Sequence, residues 1–320
     1  MKVIRTVCGD IDPSELGVTQ THEHLCCDQN LGYGRDTFPS DSSQMILQEP
    51  DLIVDALADF REAGGQAIAE MTVAGWGRDV AVLRDISTRT GVHVIATSGY
   101  YVEDCIPAFA RTADVEQLTE FLLEELTEGA DGTDIRPGIL KSGVGRPVIE
   151  QLEQRCAIAV ACAHKATGVP ITTHTSGSAR FEIPGGNLGA QHLDLFEAEG
   201  VDPGRVIIGH NDENADIRFL LSLARRGAYI QFDVIGKLHW LLDETRVELL
   251  ARLADAGHLD QLLLSTDRCR MTELKTRGGP GYDHLLRNFV PMLRRAGFDQ
   301  AGIDRMLVTN PARILAIDAG

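Results

Sequence analysis

Short apolar, β-branched runs alternate along the chain with longer segments whose apolar positions recur at helical spacing, the pattern of parallel strands joined by crossover helices. Eight runs read as strands: residues 16–21, 66–71, 93–98, 138–141, 170–174, 205–209, 228–233 and 262–267. Between them, residues 50–63, 115–128, 148–167, 188–199, 216–226 and 246–256 read as helices. Several of these run into glycine just before the next strand, as at Ala63-Gly64-Gly65 and Thr167-Gly168, which matches a C-terminal helix cap. With eight strands and no Pro/Gly/Ser stretch long enough to separate domains, the pattern predicts an α/β fold: a single TIM-type (β/α)8 barrel over residues 1–320. Two connections exceed what a helix needs, residues 26–48 after the first strand and 268–282 after the eighth. Long βα loops of this kind lie over the C-terminal mouth of a barrel, where binding and chemistry are built.

Composition narrows the partners. The chain carries 30 Lys and Arg against 47 Asp and Glu, a formal net charge of −17. A surface that acidic repels phosphate backbones and anionic headgroups, so neither nucleic acid nor a membrane is expected as a partner. The N-terminal residues lack the apolar stretch of a secretory signal, and no uncharged apolar run approaches the ~18 residues of a membrane span. A cytoplasmic protein is expected. Its 7 cysteines include no CxxC pair and read as reduced thiols.

The polar residues that close the strands carry the chemistry. The first strand ends Thr21-His22-Glu23-His24, and the pleat sends His22 and His24 to one side. The fourth ends in Lys141, the fifth in His174, the sixth in His210 and the eighth in Asp267. Singly, each has an ordinary structural reading: a snorkelling lysine, a core histidine, a helix-capping aspartate. Together they gather nitrogen and oxygen donors at the same end of five strands, around one mouth. Imidazoles and a carboxylate suit zinc or a similar first-row divalent ion. Four histidines and one aspartate are too many ligands for one tetrahedral ion and too few carboxylates to bridge two. Lys141 supplies a bridge if CO2 adds to its neutral amine, giving a carbamate, and burial near cations favours that neutral amine.

The set HxH, Lys, His, His, Asp resembles the phosphotriesterase-like branch of the amidohydrolase superfamily. So do residues 17–25 around the HxH, residues 202–210 leading into the sixth strand, and the closing segment Asn310-Pro311-Ala312-Arg313-Ile314-Leu315. Residues 227–237 and 278–283 look most like the phosphotriesterase homology proteins of that branch, some of which carry Glu in place of Lys141. The resemblance implies one ion on His22, His24 and Asp267, a second on His174 and His210, and carbamylated Lys141 between them. It implies zinc, with cobalt, manganese or iron as alternatives, a bridging hydroxide as nucleophile, Asp267 as proton acceptor, and a homodimer.

The substrate shell departs from some members of the branch. Paraoxon-hydrolysing and many lactone-hydrolysing members carry His or Arg just after the seventh-strand aspartate, where this chain has Val234, which argues against an organophosphate pocket. Tyr101 matches a tyrosine that lactonases of the branch place beside the hydroxide. Lys237, Arg268 and Arg270, on the seventh and eighth loops, are expected above the metals, positioned for an anionic group of the substrate. The reading is a hydrolase of a lactone or ester, phosphorylated or otherwise anionic, with phosphotriester hydrolysis on the same centre as the alternative.

Overall fold

The computed structural model describes residues 1–33, 42–145, 149–175, 188–213 and 215–319. Eight parallel strands circle a common axis: Thr19–Glu23, Ala67–Glu70, a third in two pieces (His93–Ile95 and Thr97–Tyr100), Ile139–Gly143, Ile171–His174, Val206–Ile208, Tyr229–Phe232 and Leu262–Leu264. The third strand breaks at Ala96; its first piece pairs back to Ala67–Ala69 and its second forward to Ile139–Ser142. The barrel closes between eighth and first strands with one backbone bond, Asp267 N–H to His22 O at 3.2 Å, and with Ser265 Oγ accepting from His22 N at 3.0 Å.

The strand sequences explain the layering. Along the second strand Ala67 and Ala69 pack into the barrel interior with Ile95, Ile139, Ile207, Tyr229 and Leu263, while Ile68 faces the outer helices. Val206 and Ile208 likewise face outward on either side of Ile207. Continuous apolar runs are thus buried on both faces, as a parallel sheet covered by helices requires. An antiparallel hairpin, Lys2–Thr6 with Gly9–Ile11, pairs with the C-terminal strand Ile317–Asp318, and its Ile4 enters the interior cluster. Sequence periodicity gave no hint of this cover, whose strands are too short for a period to register.

The outer helices are Pro50–Glu62, Val80–Thr90, Val115–Thr127, Gln151–Thr167, Leu188–Ala198, Ile217–Arg225, Asp243–Asp255 and, after the eighth strand, the segment from Leu285 to Arg295. The second was not among the helices expected from sequence; Asp79 caps it, accepting from Ala81 N and Val82 N. The expected start of another at residue 148 lies outside the described residues, and so does the middle of the connection at 26–48. The ends of that connection are held by a short antiparallel pair, Cys27–Asp28 with Ile46–Leu47. Among the described residues no helix is long and apolar enough to cross a membrane, and all seven cysteines are free thiols.

Candidate active site

At the C-terminal ends of the strands lies a cavity of about 460 Å³ lined by His22, His24, Tyr101, Lys141, His174, His210, Lys237, Asp267 and Arg270, together with Trp76, Glu213, Trp240, Cys269 and Glu273. Nine of the ten residues picked out from sequence therefore meet in one place. Arg268 does not. Its guanidinium is buried in the wall, Nη2 donating to Ile235 O at 2.9 Å and Nε to Gly281 O at 3.3 Å, so it ties the seventh loop to the eighth and does not line the cavity.

Three of the four imidazoles are oriented through their second nitrogens. His24 Nδ1 lies 2.7 Å from Thr72 Oγ1, which donates to Glu70 Oε1 at 2.5 Å. His22 Nδ1 and His210 Nδ1 both face Asp233, at 3.1 and 2.8 Å. What remains points inward. Among the described residues His22 Nε2 is buried with no hydrogen-bond partner; it lies 3.7 Å from Asp267 Oδ1, and His24 Nε2 lies 3.3 Å from the same oxygen. On the opposite side His210 Nε2 and His174 Nδ1 face one another at 2.6 Å, and the Tyr101 hydroxyl sits 3.2 Å from His174 Nε2.

These donors fit divalent ions. His22, His24 and Asp267 offer three ligand atoms within 4.8 Å of one another, one of them the buried, unpartnered His22 Nε2. Burying such a nitrogen unpaired costs about 1–3 kcal/mol, which a bound cation removes. His22, His210 and Asp233 also converge. Both Asp233 oxygens are already taken by the two imidazoles and by His210 N, so this carboxylate orients histidines from behind, as outer partners of metal ligands do. Six rings, His22, His24, Trp76, Tyr101, His174 and His210, close a circuit with neighbouring centroids 4.4–5.8 Å apart.

Lys141 Nζ lies 4.9 Å from the centre of the Tyr101 ring and donates to Met71 O at 2.9 Å. Burial pushes its amine below the ordinary lysine range, outweighing the carboxylates of Asp267, Glu70 and Asp233. Gly99, on the neighbouring strand, permits this placement: a Cβ there would stand 2.1 Å from Lys141 O, and its φ of +134° suits glycine. Burial drives His24 down to about 3. For Asp267 burial works against ionisation, yet Lys237 and the surrounding imidazoles outweigh it and hold the carboxyl well below the usual range. Lys237 Nζ reaches Asp267 Oδ2 at 2.6 Å and Glu273 Oε1 at 3.4 Å.

Two of these residues sit in strained backbone. His210 has φ of +54° and Asp267 of +49°, a left-handed conformation that costs a non-glycine residue about 1–2 kcal/mol. Both fall where a strand has ended and the chain must turn its side chain back across the mouth.

The family model described as "Phosphotriesterase family" matches residues 2–315 of this chain. The chain belongs to that family. It is 37% identical over 303 residues to the phosphotriesterase homology protein of Escherichia coli K12, covering 94% of this chain and 98% of that one. The crystal structure of that relative, with phosphate in its active site, superposes with a TM-score of 0.87 over 95% of this chain and 100% of its own. The human N-acetyltaurine hydrolase is 31% identical, covering 98% of this chain and 97% of its own length. A lactonase from Listeria monocytogenes matches at TM-score 0.90 and 28% identity, over 99% of this chain and 100% of that one. The family and these neighbours establish the TIM barrel and a hydrolase setting.

Sequence reasoning passed over Trp76, Asp233, Glu213, Glu273 and Trp240. Asp233 closes the seventh strand as Asp267 follows the eighth, so the signal that found one would have found the other. Trp76, in the turn Ala74–Trp76 after the second strand, carries no comparable local signal.

Proposed function

We propose that this chain, acting as one catalytic unit over its length, is a binuclear-metal hydrolase that opens a lactone or ester bearing an anionic group. The observation that carries the reading is the inward convergence of His22 Nε2, His24 Nε2 and Asp267 Oδ1 beside the facing pair His174 Nδ1 and His210 Nε2, with every outer nitrogen but that of His174 held by an oxygen of the barrel wall. His22, His24 and Asp267 would hold one ion and His174 and His210 the other, with Lys141 placed to join them were its amine carbamylated. Two divalent ions bound there, zinc foremost, would lower the pKa of water toward ~7 and polarise the carbonyl oxygen of the substrate.

The protein residues supply orientation and proton handling. Asp233 holds two of the histidines in one tautomer, Nδ1 protonated toward its carboxylate and Nε2 free to ligate. Asp267 stays ionised beside Lys237 and accepts the proton released on attack. Tyr101 presents its hydroxyl to the cavity on the His174 side, available to the substrate as a hydrogen-bond donor. Arg270, on the cavity rim, meets the anionic end of the substrate, while Lys237 is held by Asp267 and Glu273.

The human relative, by its name, hydrolyses an amide whose other end is a sulfonate, and this supports a second reading on the same centre: an N-acylated amino acid or amino sulfonate. Turnover of the zinc-, cobalt- and manganese-loaded protein on phosphorylated and neutral lactones, aryl esters, N-acetyltaurine and paraoxon separates the possibilities. Preference for anionic lactones supports the first reading and N-acetyltaurine the second; paraoxon as the best substrate would overturn both in favour of phosphotriester hydrolysis.

A further inference from the structure

Glu23 lies between the two histidines of the first strand, so the pleat sends its side chain to the face away from the cavity. There it is fully buried, and its surroundings come almost wholly from the end of the eighth strand. Oε1 accepts from Thr266 N at 2.7 Å and Asp267 N at 3.1 Å; Oε2 accepts from Arg268 N at 2.8 Å. The hydroxyls of Ser265 and Thr266 stand 2.8 and 2.7 Å from Oε1. Three consecutive amide N–H groups thus wrap one carboxylate, an anion nest built from backbone. Such bonds to an ionised acceptor are shorter and about twice as strong as neutral ones.

The middle residue of this nest is Asp267, whose φ of +49° is the strained value noted above. Left-handed backbone at one residue is what allows successive N–H groups to point to the same side. A strand continuing straight past Leu264 would carry the Asp267 side chain along the barrel wall; the turn instead brings Oδ1 to 3.3 Å from His24 Nε2. Among the described residues one backbone bond joins these strands across the seam, so the nest also supplies most of the closure between the strand that bears the histidines and the strand that bears the aspartate.

We infer that Glu23 is a positioning residue: by gripping the amides of Thr266, Asp267 and Arg268 it holds Asp267 in the conformation that aims its carboxylate at His22 and His24. The inference rests on the reading of Asp267 as a metal ligand. Glu23 touches neither substrate nor cavity, and acts through the backbone alone.

The test is zinc binding, read by chelator competition on the full chain, with amide hydrogen exchange at residues 266–268. In Glu23→Gln one carbonyl oxygen still receives two amides, but the new NH2 faces the Arg268 N–H, donor against donor. One of the two zinc affinities should fall on the order of 10- to 100-fold while the other is unchanged, as for other outer partners of metal ligands. Exchange at 266–268 should rise with it. Leu220→Ala, a core truncation on a distant outer helix, should lower Tm and leave both affinities intact. Both affinities unchanged in Glu23→Gln, with one lost in Asp267→Ala, overturns the inference alone; both unchanged in Asp267→Ala as well means that the metal reading is the one that failed. Should Glu23→Gln not fold, Thr266→Val removes one side-chain contact to the same oxygen and should produce a smaller loss confined to the same zinc site. No loss, or equal loss at both sites, overturns the proposal.

Discussion

Single side chains at this centre have separable duties, and substitution can tell them apart. Asp267→Asn keeps an oxygen for the ion but cannot accept a proton. Turnover should therefore fall by ~10²- to 10⁴-fold, the usual worth of general-base help, while metal content measured by elemental analysis stays near two ions per chain. Unchanged turnover would remove Asp267 from the proton path. Lys141→Ala takes away the proposed bridge, and activity should vanish with loss of metal. Short carboxylic acids added from solution should restore some of it, whereas Lys141→Glu, with two carboxylate oxygens of its own, should retain metal; a metal-free Glu variant would argue against any anionic bridge. At this scale the sequence was most informative where a residue ends a strand, because the pleat fixes which way it points. It misled at Arg268, one residue beyond Asp267, since the left-handed turn there sends consecutive side chains in directions that no strand periodicity describes.

Elements decide what the pocket accepts. The seventh and eighth loops bring Lys237, Trp240, Arg270 and Glu273 over the strand ends, and a buried network stiffens the first of them. Arg246, on the helix Asp243–Asp255, holds Asp212 at 2.7 Å and Asp243 at 2.9 Å, and Asp212 in turn accepts from Asp233 N at 3.0 Å. The two basic residues should consequently behave differently. Arg270, on the exposed rim, should affect only the substrate's charged end: Arg270→Ala should lower kcat/KM for an anionic lactone by roughly 10- to 150-fold, from the ~1.5–3 kcal/mol of a charge-assisted bond, and leave a neutral aryl ester nearly untouched. Lys237 is bound to Asp267 and Glu273, so Lys237→Ala should depress both substrates. Equal losses on both substrates for Arg270→Ala would mean that it serves the loop. That contrast was not visible in sequence, where Lys237 and Arg270 were two cations on two loops.

Acid sensitivity belongs to the molecule as a whole. His192, on the helix Leu188–Ala198, is fully buried beside Phe196 with Nε2 2.8 Å from Ser142 Oγ, and burial drives it down to about 3. Its unfolded form takes up a proton near the ordinary ~6.5. The unfolded chain therefore binds the extra proton between those values, and stability should fall as pH drops below 6.5, by up to about 1.4 kcal/mol per pH unit from this group. His192→Phe should be less stable at neutral pH, through the lost Ser142 bond, but show a shallower decline between pH 6.5 and 4 in denaturant titrations. Parallel declines would assign the acid sensitivity to other groups. The sequence alone determined the barrel and the set of donors at its mouth, because both rest on short-range regularities: alternation along a strand, helical spacing between strands, and a polar residue where each apolar run stops. Tertiary structure alone decided which cations face the cavity, that Asp233 and Glu23 set the histidines and Asp267 from behind, and that the first and eighth strands join through a side chain. The cations and the His210–Asp233 pair are settled by contacts between successive loops, and the Glu23 grip by residues more than two hundred positions apart meeting at one seam; no local pattern records which partner the closing of the barrel will bring.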